Sequence, residues 1–206
     1  MTAPNISYSL LASLKKESNL ANALFSISNI GIDMIHYDIS DNSSTLHLKD
    51  VASLKKHTFH PFDIHIATDD PIPELLKVSL TKNDRVAVHV ECGYPVDRIK
   101  DLKVKLGCKI GIALNIETSI DKVIPYMDTI DYVLFMTVTP GVSGMAFDMS
   151  VLEKIKSITI DGGINDRTAF LTRKYRPDTL VSGSYILKEK NYGKQVFKLI
   201  GQDLNL

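Results

Sequence analysis

The stretch VAVHVECGYPVDRIKDLKVKLGCKIGIAL, residues Val86–Leu114, decides the fold class. It contains two short runs of β-branched and apolar residues, Val86–Val90 and Lys109–Leu114. Such runs are typical of strands that are covered on both faces of a sheet. Between them, Val96–Leu106 can present one apolar face at helical spacing. A strand, a helix and a second strand in this order predict one unit of a parallel sheet.

The same alternation continues from one end of the chain to the other. The predicted strands are Ile6–Leu11, Met34–Asp38, Phe62–Ile66, Val86–Val90, Lys109–Leu114, Tyr132–Val138, Ser157–Asp161 and Thr179–Val181. The predicted helices are Leu20–Ser28, Leu48–Lys56, Pro71–Leu80, Val96–Leu106, Ser119–Met127, Met149–Lys154, Asp166–Lys174 and Lys194–Leu199. Eight units favour a closed (β/α)8 TIM barrel over an open, doubly wound α/β sheet. With 206 residues, we expect a single barrel domain over residues 1–206.

The composition is that of an ordinary globular protein. Hydrophobic residues make up 44% and charged residues 23% of the chain, enough apolar side chains for a sizeable core. The 24 basic and 24 acidic residues cancel, which argues against nucleic acid or an anionic membrane as partner. Without a signal peptide pattern or a long apolar run, we expect a cytoplasmic protein. Cys92 and Cys108 lack metal-site or disulfide spacing, and we expect both to be reduced thiols.

Ionisable residues cluster at the ends of the predicted strands, where barrels of this type carry their reactive groups. His36 and Asp38 share one face of strand two, and Asp63 and His65 share one face of strand three, since side chains alternate along a strand. Asp161 ends strand seven. We expect His36, Asp38, His65 and Asp161 to bind zinc, iron(II), manganese or cobalt. The alternative is that each histidine is a hydrogen-bonded core residue.

Two of these carboxylates also suit acid/base chemistry. A metal ion beside a carbonyl stabilises the enediolate that forms when a neighbouring carbon loses its proton. Asp38 and Asp161 come from different parts of the ring. If they flank a planar intermediate, one can remove the proton and the other can return it on the opposite face.

Glycine-bearing loops follow strands six, seven and eight. Phosphate often binds to the last two of these loops in such barrels, because glycine lets backbone N–H groups approach an anion closely. The loops are Thr139-Pro140-Gly141-Val142-Ser143-Gly144, Asp161-Gly162-Gly163-Ile164-Asn165 and Val181-Ser182-Gly183-Ser184. We therefore expect a ligand that carries a phosphate group.

Taken in order, these segments resemble the ribulose-phosphate 3-epimerase family, over nearly the whole chain. The matching segments are Ser9-Leu10-Leu11, His36-Tyr37-Asp38-Ile39-Ser40-Asp41, Asp63-Ile64-His65-Ile66, Gly111-Ile112-Ala113-Leu114-Asn115, Val133–Gly141, Asp161-Gly162-Gly163-Ile164 and Val181-Ser182-Gly183-Ser184.

The resemblance implies a barrel of the ribulose-phosphate-binding type, one divalent metal ion and a homo-oligomer. It implies that His36, Asp38, His65 and Asp161 bind the metal, that Asp38 and Asp161 invert carbon 3 of the sugar phosphate, and that Ser9 contacts the substrate. The residues implied to line the phosphate loops are Gly141, Ser143, Gly144, Gly162, Gly163, Gly183 and Ser184.

The chain also departs from the family pattern around the expected substrate. Methionines usual after strands two and three are replaced by Ser40 and Ala67, so that only Met136 remains, and the loop after strand six reads Gly141-Val142-Ser143-Gly144-Met145. Two interpretations are open. The protein is either a divergent epimerase, acting on pentulose phosphates or on hexulose phosphates such as allulose 6-phosphate, or a relative that only binds sugar phosphates.

A different enzyme class is the third alternative. An aldolase or decarboxylase would call for a lysine in the active centre, and none of the predicted strand ends has one.

Two further residue groups have structural interpretations. His89 and Glu91 alternate like a catalytic pair, but we expect them to support the pocket from outside. Tyr37 points to the opposite face from His36 and is expected to pack against a helix.

Overall fold

The computed structural model of the protein describes residues 3–15, 19–40, 47–68, 70–137 and 155–201. Eight parallel strands close into a barrel in chain order, and β1 pairs with both β2 and β8. The strands are β1 (Asn5–Ser9), β2 (Met34–Ser40), β3 (Phe62–Ala67), β4 (Arg85–His89), β5 (Lys109–Leu114), β6 (Tyr132–Met136), β7 (Ile158–Asp161) and β8 (Thr179–Ser182). The predicted (β/α)8 TIM barrel is confirmed.

Helices cover the outside of this barrel. The α-helices are α1 (Leu20–Ile27), α2 (Leu48–Leu54), α3 (Ile72–Leu75), α4 (Val96–Leu106), α5 (Asp166–Thr172) and α6 (Tyr192–Leu199). Shorter 3-10 helices span Leu10–Lys15, Lys55–His57, Val90–Cys92, Ile120–Tyr126, Arg173–Tyr175 and Ile186–Lys188. The predicted helix Met149–Lys154 and the end of the predicted strand Tyr132–Val138 lie outside the described residues.

Several predicted elements differ by one or two residues at their ends, and three differ in a way that has structural consequences. The first strand ends at Ser9, and the chain turns into a 3-10 helix at Leu10 rather than continuing to Leu11. The helix predicted at Pro71–Leu80 is a single turn, Ile72–Leu75. The segment predicted as a helix at Ser119–Met127 forms a 3-10 helix that contains Pro125, whose ring and missing N–H do not suit an α-helical interior.

Strand alternation separates two layers of buried side chains. One set of apolar residues faces the helices, including Ile35, Tyr37, Ile64 and Val88, all fully buried. The other face points into the barrel, where a small apolar cluster is formed by Ala87, Ala113, Tyr132 and Leu134. Polar side chains share the interior and, near the carboxyl ends of the strands, form the candidate site.

The opposite rim of the barrel carries a repeated hydrogen bond. The residue before each even-numbered strand is an aspartate that accepts a backbone N–H at the start of the preceding strand. The four pairs are Asp33 with Ile6 (2.7 Å), Asp84 with Phe62 (2.8 Å), Asp131 with Ile110 (2.9 Å) and Asp178 with Ile158 (2.9 Å). Each carboxylate satisfies a donor that has no partner within the sheet at that end.

Candidate active site

The four residues predicted as metal ligands meet inside the mouth of the barrel. His36 and Asp38 stand on β2, His65 on β3 and Asp161 at the end of β7. The ring atom Nε2 of His36 lies 3.0 Å from Oδ1 of Asp38 and 3.2 Å from Oδ2 of Asp161. Nδ1 of His65 lies 3.2 Å from the same oxygen of Asp38. One ligand atom from each residue fits within 4.8 Å of all the others.

Carboxylates dominate the electrostatics of this cluster. Burial alone would lower the pKa of His36, but Asp38, Asp161 and Asp63 raise it well above its usual value. Burial opposes ionisation of Asp38, yet His36 and His65 hold the pKa of its carboxyl below the usual range. The carboxylates that favour a positive charge on His36 would also stabilise a metal cation at the same place.

The donor set fits a divalent transition metal. Two imidazole nitrogens and two carboxylate oxygens are ligands that suit zinc, iron(II), manganese and cobalt. The side chain of His36 is fully buried, whereas those of Asp38 and Asp161 are 25% and 14% exposed toward the mouth. The cluster could therefore hold a metal ion while leaving its carboxylates accessible to a ligand.

A tight turn aims Asp161 at this cluster. The backbone N–H of Thr137 donates to the carbonyl of Asp161, and the Thr137 hydroxyl donates to the carbonyl of Gly162 over 2.6 Å. Gly162 has a φ of +109°, and a Cβ there would lie 1.9 Å from the carbonyl oxygen of Thr137. Only glycine fits this turn, which ties the ends of β6 and β7 together.

A cavity of about 220 Å³ opens beside Asp161. Its lining includes Ser9, Gly163, Gly183 and Ser184, four of the residues implied to contact substrate or phosphate. The hydroxyl of Ser9 donates to Oδ2 of Asp38 over 3.4 Å, which connects the cavity to the cluster. Gly162 is not part of the lining, and Gly141, Ser143 and Gly144 lie outside the described residues.

Each histidine of the cluster is held from behind by a further polar residue. Nδ1 of His36 lies 2.9 Å from Oδ2 of Asp63, which also pairs with Arg85. Nε2 of His65 lies 2.8 Å from Nε2 of His89, whose Nδ1 lies 2.9 Å from Glu91. The positions of His89 and Glu91 agree with the expectation that they support the pocket.

Arg85 was not predicted to belong to the site, because the predicted strand began one residue later, at Val86. The structure begins β4 at Arg85, which puts its side chain inside the barrel in register with Asp63. Tyr37, on the other face of β2, is buried and donates its hydroxyl to the carbonyl of His47 at the start of α2, as its alternation with His36 predicted.

None of the helices in the described part of the chain has the length and apolar character that a membrane crossing requires.

Comparison with known proteins identifies the family. The model of the ribulose-phosphate 3 epimerase family matches residues 5–187. The ribulose-phosphate 3-epimerase of Buchnera aphidicola is 31% identical over 198 residues, which cover 85% of this chain and 86% of the relative. The enzyme of the same name from Bacillus subtilis is 30% identical over 203 residues, which cover 88% of this chain and 92% of that protein.

Solved structures with a similar fold are more distant in sequence. A KGPDC from Streptococcus mutans superposes with a TM-score of 0.71 at 17% identity, covering 98% of this chain and 97% of its own. The 3-keto-L-gulonate-6-phosphate decarboxylase of Vibrio cholerae gives a TM-score of 0.68 at 17% identity, with the same coverage of both chains. These two support the fold, and the family match supports the relationship. The chain belongs to the ribulose-phosphate 3-epimerase family.

Proposed function

We propose that the protein is a metal-dependent 3-epimerase that interconverts D-ribulose 5-phosphate and D-xylulose 5-phosphate. The observation that carries the proposal is the convergence of Asp38 and Asp161 on one imidazole, His36, from strands on different parts of the barrel. The names of the curated relatives support the substrate. An isomerase that inverts one carbon needs two groups that exchange a proton with it from opposite faces.

In this proposal His36, Asp38, His65 and Asp161 hold one divalent ion, which is zinc, iron(II), manganese or cobalt. When bound, the ion supplies a positive charge that stabilises the enediolate oxygens of the substrate. Oδ1 of Asp38 faces both histidines, while its Oδ2 faces Ser9 on the cavity side. Asp38 thus has one oxygen for the cluster and one for the substrate.

Proton transfer is assigned to the two aspartates. One carboxylate takes the proton from carbon 3 of the ketose phosphate, which gives a planar enediolate. The other, already protonated, delivers its proton to the opposite face, and the configuration of carbon 3 is inverted. The roles reverse in the other direction, so Asp38 and Asp161 both belong to the reaction. Ser9, hydrogen-bonded to Asp38, is proposed to contact the sugar hydroxyls.

The phosphate of the substrate is proposed to bind in the cavity beside Asp161. Gly163, Gly183 and Ser184 line it in the described part of the chain, where its lining contains no lysine or arginine. The anion would therefore be held by backbone N–H groups and a hydroxyl. Gly162 and the residues Gly141, Ser143 and Gly144 complete the proposed phosphate site.

The rim of the mouth supports a second candidate substrate. Ser40 and Ala67 pair in register at the ends of β2 and β3, and Ala67 is exposed. Short side chains at these places leave room for a longer sugar, such as the hexulose allulose 6-phosphate. Three further statements stay predictions from the sequence. They are that the protein is cytoplasmic, that it forms a homo-oligomer and, as the alternative function, that it binds sugar phosphates without catalysis.

The test combines elemental analysis with an epimerase assay. The purified protein should contain one equivalent of metal, convert ribulose 5-phosphate and incorporate solvent deuterium at carbon 3. Asp38→Asn and Asp161→Asn should each lower kcat by about 10²- to 10⁴-fold, the usual contribution of a general acid or base. The control is Asp97→Asn, an exposed aspartate in the first turn of α4, which should keep full activity.

Each other outcome would change the assignment. Full activity in either aspartate variant would exclude the two-carboxylate mechanism. Metal without turnover of ribulose 5-phosphate would direct the assay to hexulose phosphates. Neither metal nor turnover would favour the non-catalytic binding protein.

A further inference from the structure

A buried ion pair lies directly behind the candidate metal site. Arg85 is 5% exposed and Asp63 is fully buried. Nε and Nη2 of Arg85 each donate to one carboxylate oxygen of Asp63, and both distances are 2.8 Å. The two parallel bonds fix the plane of the carboxylate as well as its position.

The carboxylate of Asp63, fixed in this way, in turn orients the ring of His36. Its Oδ2 accepts from Nδ1 of His36 over 2.9 Å and from the hydroxyl of Ser7 over 2.8 Å. A carboxylate paired with a guanidinium offers only lone pairs, so the ring proton of His36 has to stand on Nδ1. Nε2, which faces Asp38 and Asp161, is then the nitrogen that would bind the proposed ion. Histidines that bind metals commonly donate their other N–H to such a partner.

The surroundings of Arg85 are shaped to hold it in place. Its guanidinium lies 4.5 Å from the ring centre of Tyr132, and its Nη1 donates to the hydroxyl of Thr179 over 3.3 Å. A Cβ at Gly111 would lie 2.6 Å from the Tyr132 ring, so the missing side chain makes room for that ring. Residues of β4, β5, β6 and β8 thus together hold the guanidinium in place.

Stability alone is a poor reason for such an ion pair. Removing two charges from water costs about as much as their attraction returns, and apolar residues of the same volume are often as stable or better. The interior of this barrel has apolar neighbours available in Ala87, Ala113 and Leu134. A charged pair that instead contacts a proposed metal ligand indicates a role in that site.

We propose that Arg85 is a positioning residue of the metal centre, which acts through Asp63 to fix the nitrogen that His36 presents to the ion. This rests on the metal site of the proposed function, and it concerns the affinity and geometry of that site rather than the proton transfer itself. In this role Arg85 acts through Asp63 and is not a catalytic residue.

The test is metal binding by the whole protein without substrate. The metal-free protein is titrated with Co²⁺ in competition with a chromogenic chelator, and the visible spectrum of the bound ion is recorded. Arg85→Met should weaken Co²⁺ binding by about 10- to 100-fold, the range found when the outer partner of a metal ligand is removed. It should also change the Co²⁺ spectrum. Arg85→Lys keeps the charge without the planar fork and should recover part of the affinity.

Two further variants separate positioning from folding. Lys55→Met removes the cation beside a second buried aspartate, Asp84, at the far rim of the barrel, and should leave Co²⁺ affinity unchanged. If Arg85→Met does not fold, Asp63→Asn combined with Arg85→Met removes both charges of the pair and should show the same loss of affinity. In zinc-loaded wild-type protein, a long-range ¹H–¹⁵N spectrum should show His36 protonated at Nδ1.

Wild-type affinity and spectrum in a folded Arg85 variant, single or double, would overturn the proposal, as would wild-type protein that binds no Co²⁺. Protein that binds Co²⁺ as described but does not epimerise would overturn the proposed function and leave the role of Arg85 standing.

Discussion

The Nε2 atoms of His65 and His89 lie 2.8 Å apart. At this distance one nitrogen carries the proton and the other accepts it. Because Nδ1 of His89 faces the Glu91 carboxylate at 2.9 Å, His89 is protonated on Nδ1 and accepts at Nε2. Burial and the neighbouring His65 lower the pKa of His89, which favours this neutral form. His65 therefore donates from Nε2, and Nδ1 is the nitrogen that would bind a metal ion in the cluster.

This relationship predicts that Glu91→Gln weakens metal binding. A glutamine amide can either donate to His89 or accept from it, so the protonation of both rings is no longer fixed. The loss of Co²⁺ affinity should be smaller than the roughly 10- to 100-fold expected for a direct partner of a ligand, since Glu91 acts one ring further away. The matched control is Glu117→Gln, an exposed glutamate that follows β5. Equal affinity in both variants would contradict the prediction.

The cavity beside Asp161 predicts a selective effect of Gly183→Ala. A Cβ at this position would lie 2.6 Å from Cβ of Ala12 and 3.0 Å from Cβ of Ser9. Making room for it displaces the wall of the proposed phosphate site. We expect KM for the sugar phosphate to rise about tenfold, equivalent to about 1.4 kcal/mol of binding free energy, with a smaller change in kcat. Gly193→Ala, whose nearest neighbours would be 3.7 Å away, should leave KM unchanged.

The turn at Gly162 predicts a loss of both stability and activity. Alanine at Gly162 would have to adopt a φ of +109° and would collide with the Thr137 carbonyl, so the turn must rearrange. We expect Gly162→Ala to lower the free energy of unfolding by at least about 2 kcal/mol and to reduce kcat, because Asp161 moves with the turn. Urea unfolding and the epimerase assay measure the two effects.

Gly107→Ala is the control for backbone strain alone. Gly107 has a φ of +62°, and a Cβ at this position would have no heavy atom within 4 Å beyond its chain neighbours and its own helix. It ends α4 far from the site, and alanine there should cost only about 1 kcal/mol. A smaller stability loss at Gly162 than at Gly107 would refute the steric argument.

The sequence predicted the barrel well where apolar periodicity is strong. Helix Val96–Leu106 and strand Lys109–Leu114 have the bounds that were expected. The prediction failed where proline overrides periodicity, as at Pro125 in the 3-10 helix Ile120–Tyr126. It also failed for the helix that begins at Ile72, which ends at Leu75 and not at Leu80. The alternation of side chains predicts which residues of a strand share a face, but it does not predict where the following helix ends.

The candidate site was predictable only in part. Alternation put His36 and Asp38 on one face, and the structure agrees, but the contact of His36 with Asp161 depends on closure of the ring. The pairing of Arg85 with Asp63 depends on the register between β3 and β4, which hydrophobic pattern leaves open. The phosphate loop at Gly141 lies outside the described residues and stays a prediction.

The aspartates that precede the even-numbered strands form a repeat that composition and periodicity do not reveal. Asp84 is the most buried of these four aspartates. Its carboxylate accepts hydrogen bonds from the backbone N–H of Phe62, from the backbone N–H and hydroxyl of Thr81, and from Lys55. Burial opposes ionisation, but these donors, Lys55 foremost, hold the pKa of Asp84 below its usual value.

The lowered pKa predicts how the stability contribution of Asp84 depends on pH. A carboxylate with a lower pKa in the folded state stabilises the fold fully above about pH 4, the value in unfolded chains, and loses this effect as the pH falls toward the folded value. Asp84→Asn should therefore lower the free energy of unfolding by about 2 kcal/mol at pH 7, and the difference from wild type should shrink below about pH 4. Asp33 is exposed and accepts from the backbone N–H of Ile6, so Asp33→Asn should lower the free energy of unfolding by less at every pH. Urea unfolding from pH 7 to pH 3 measures both, and a constant difference for Asp84→Asn would show that its charge does not contribute.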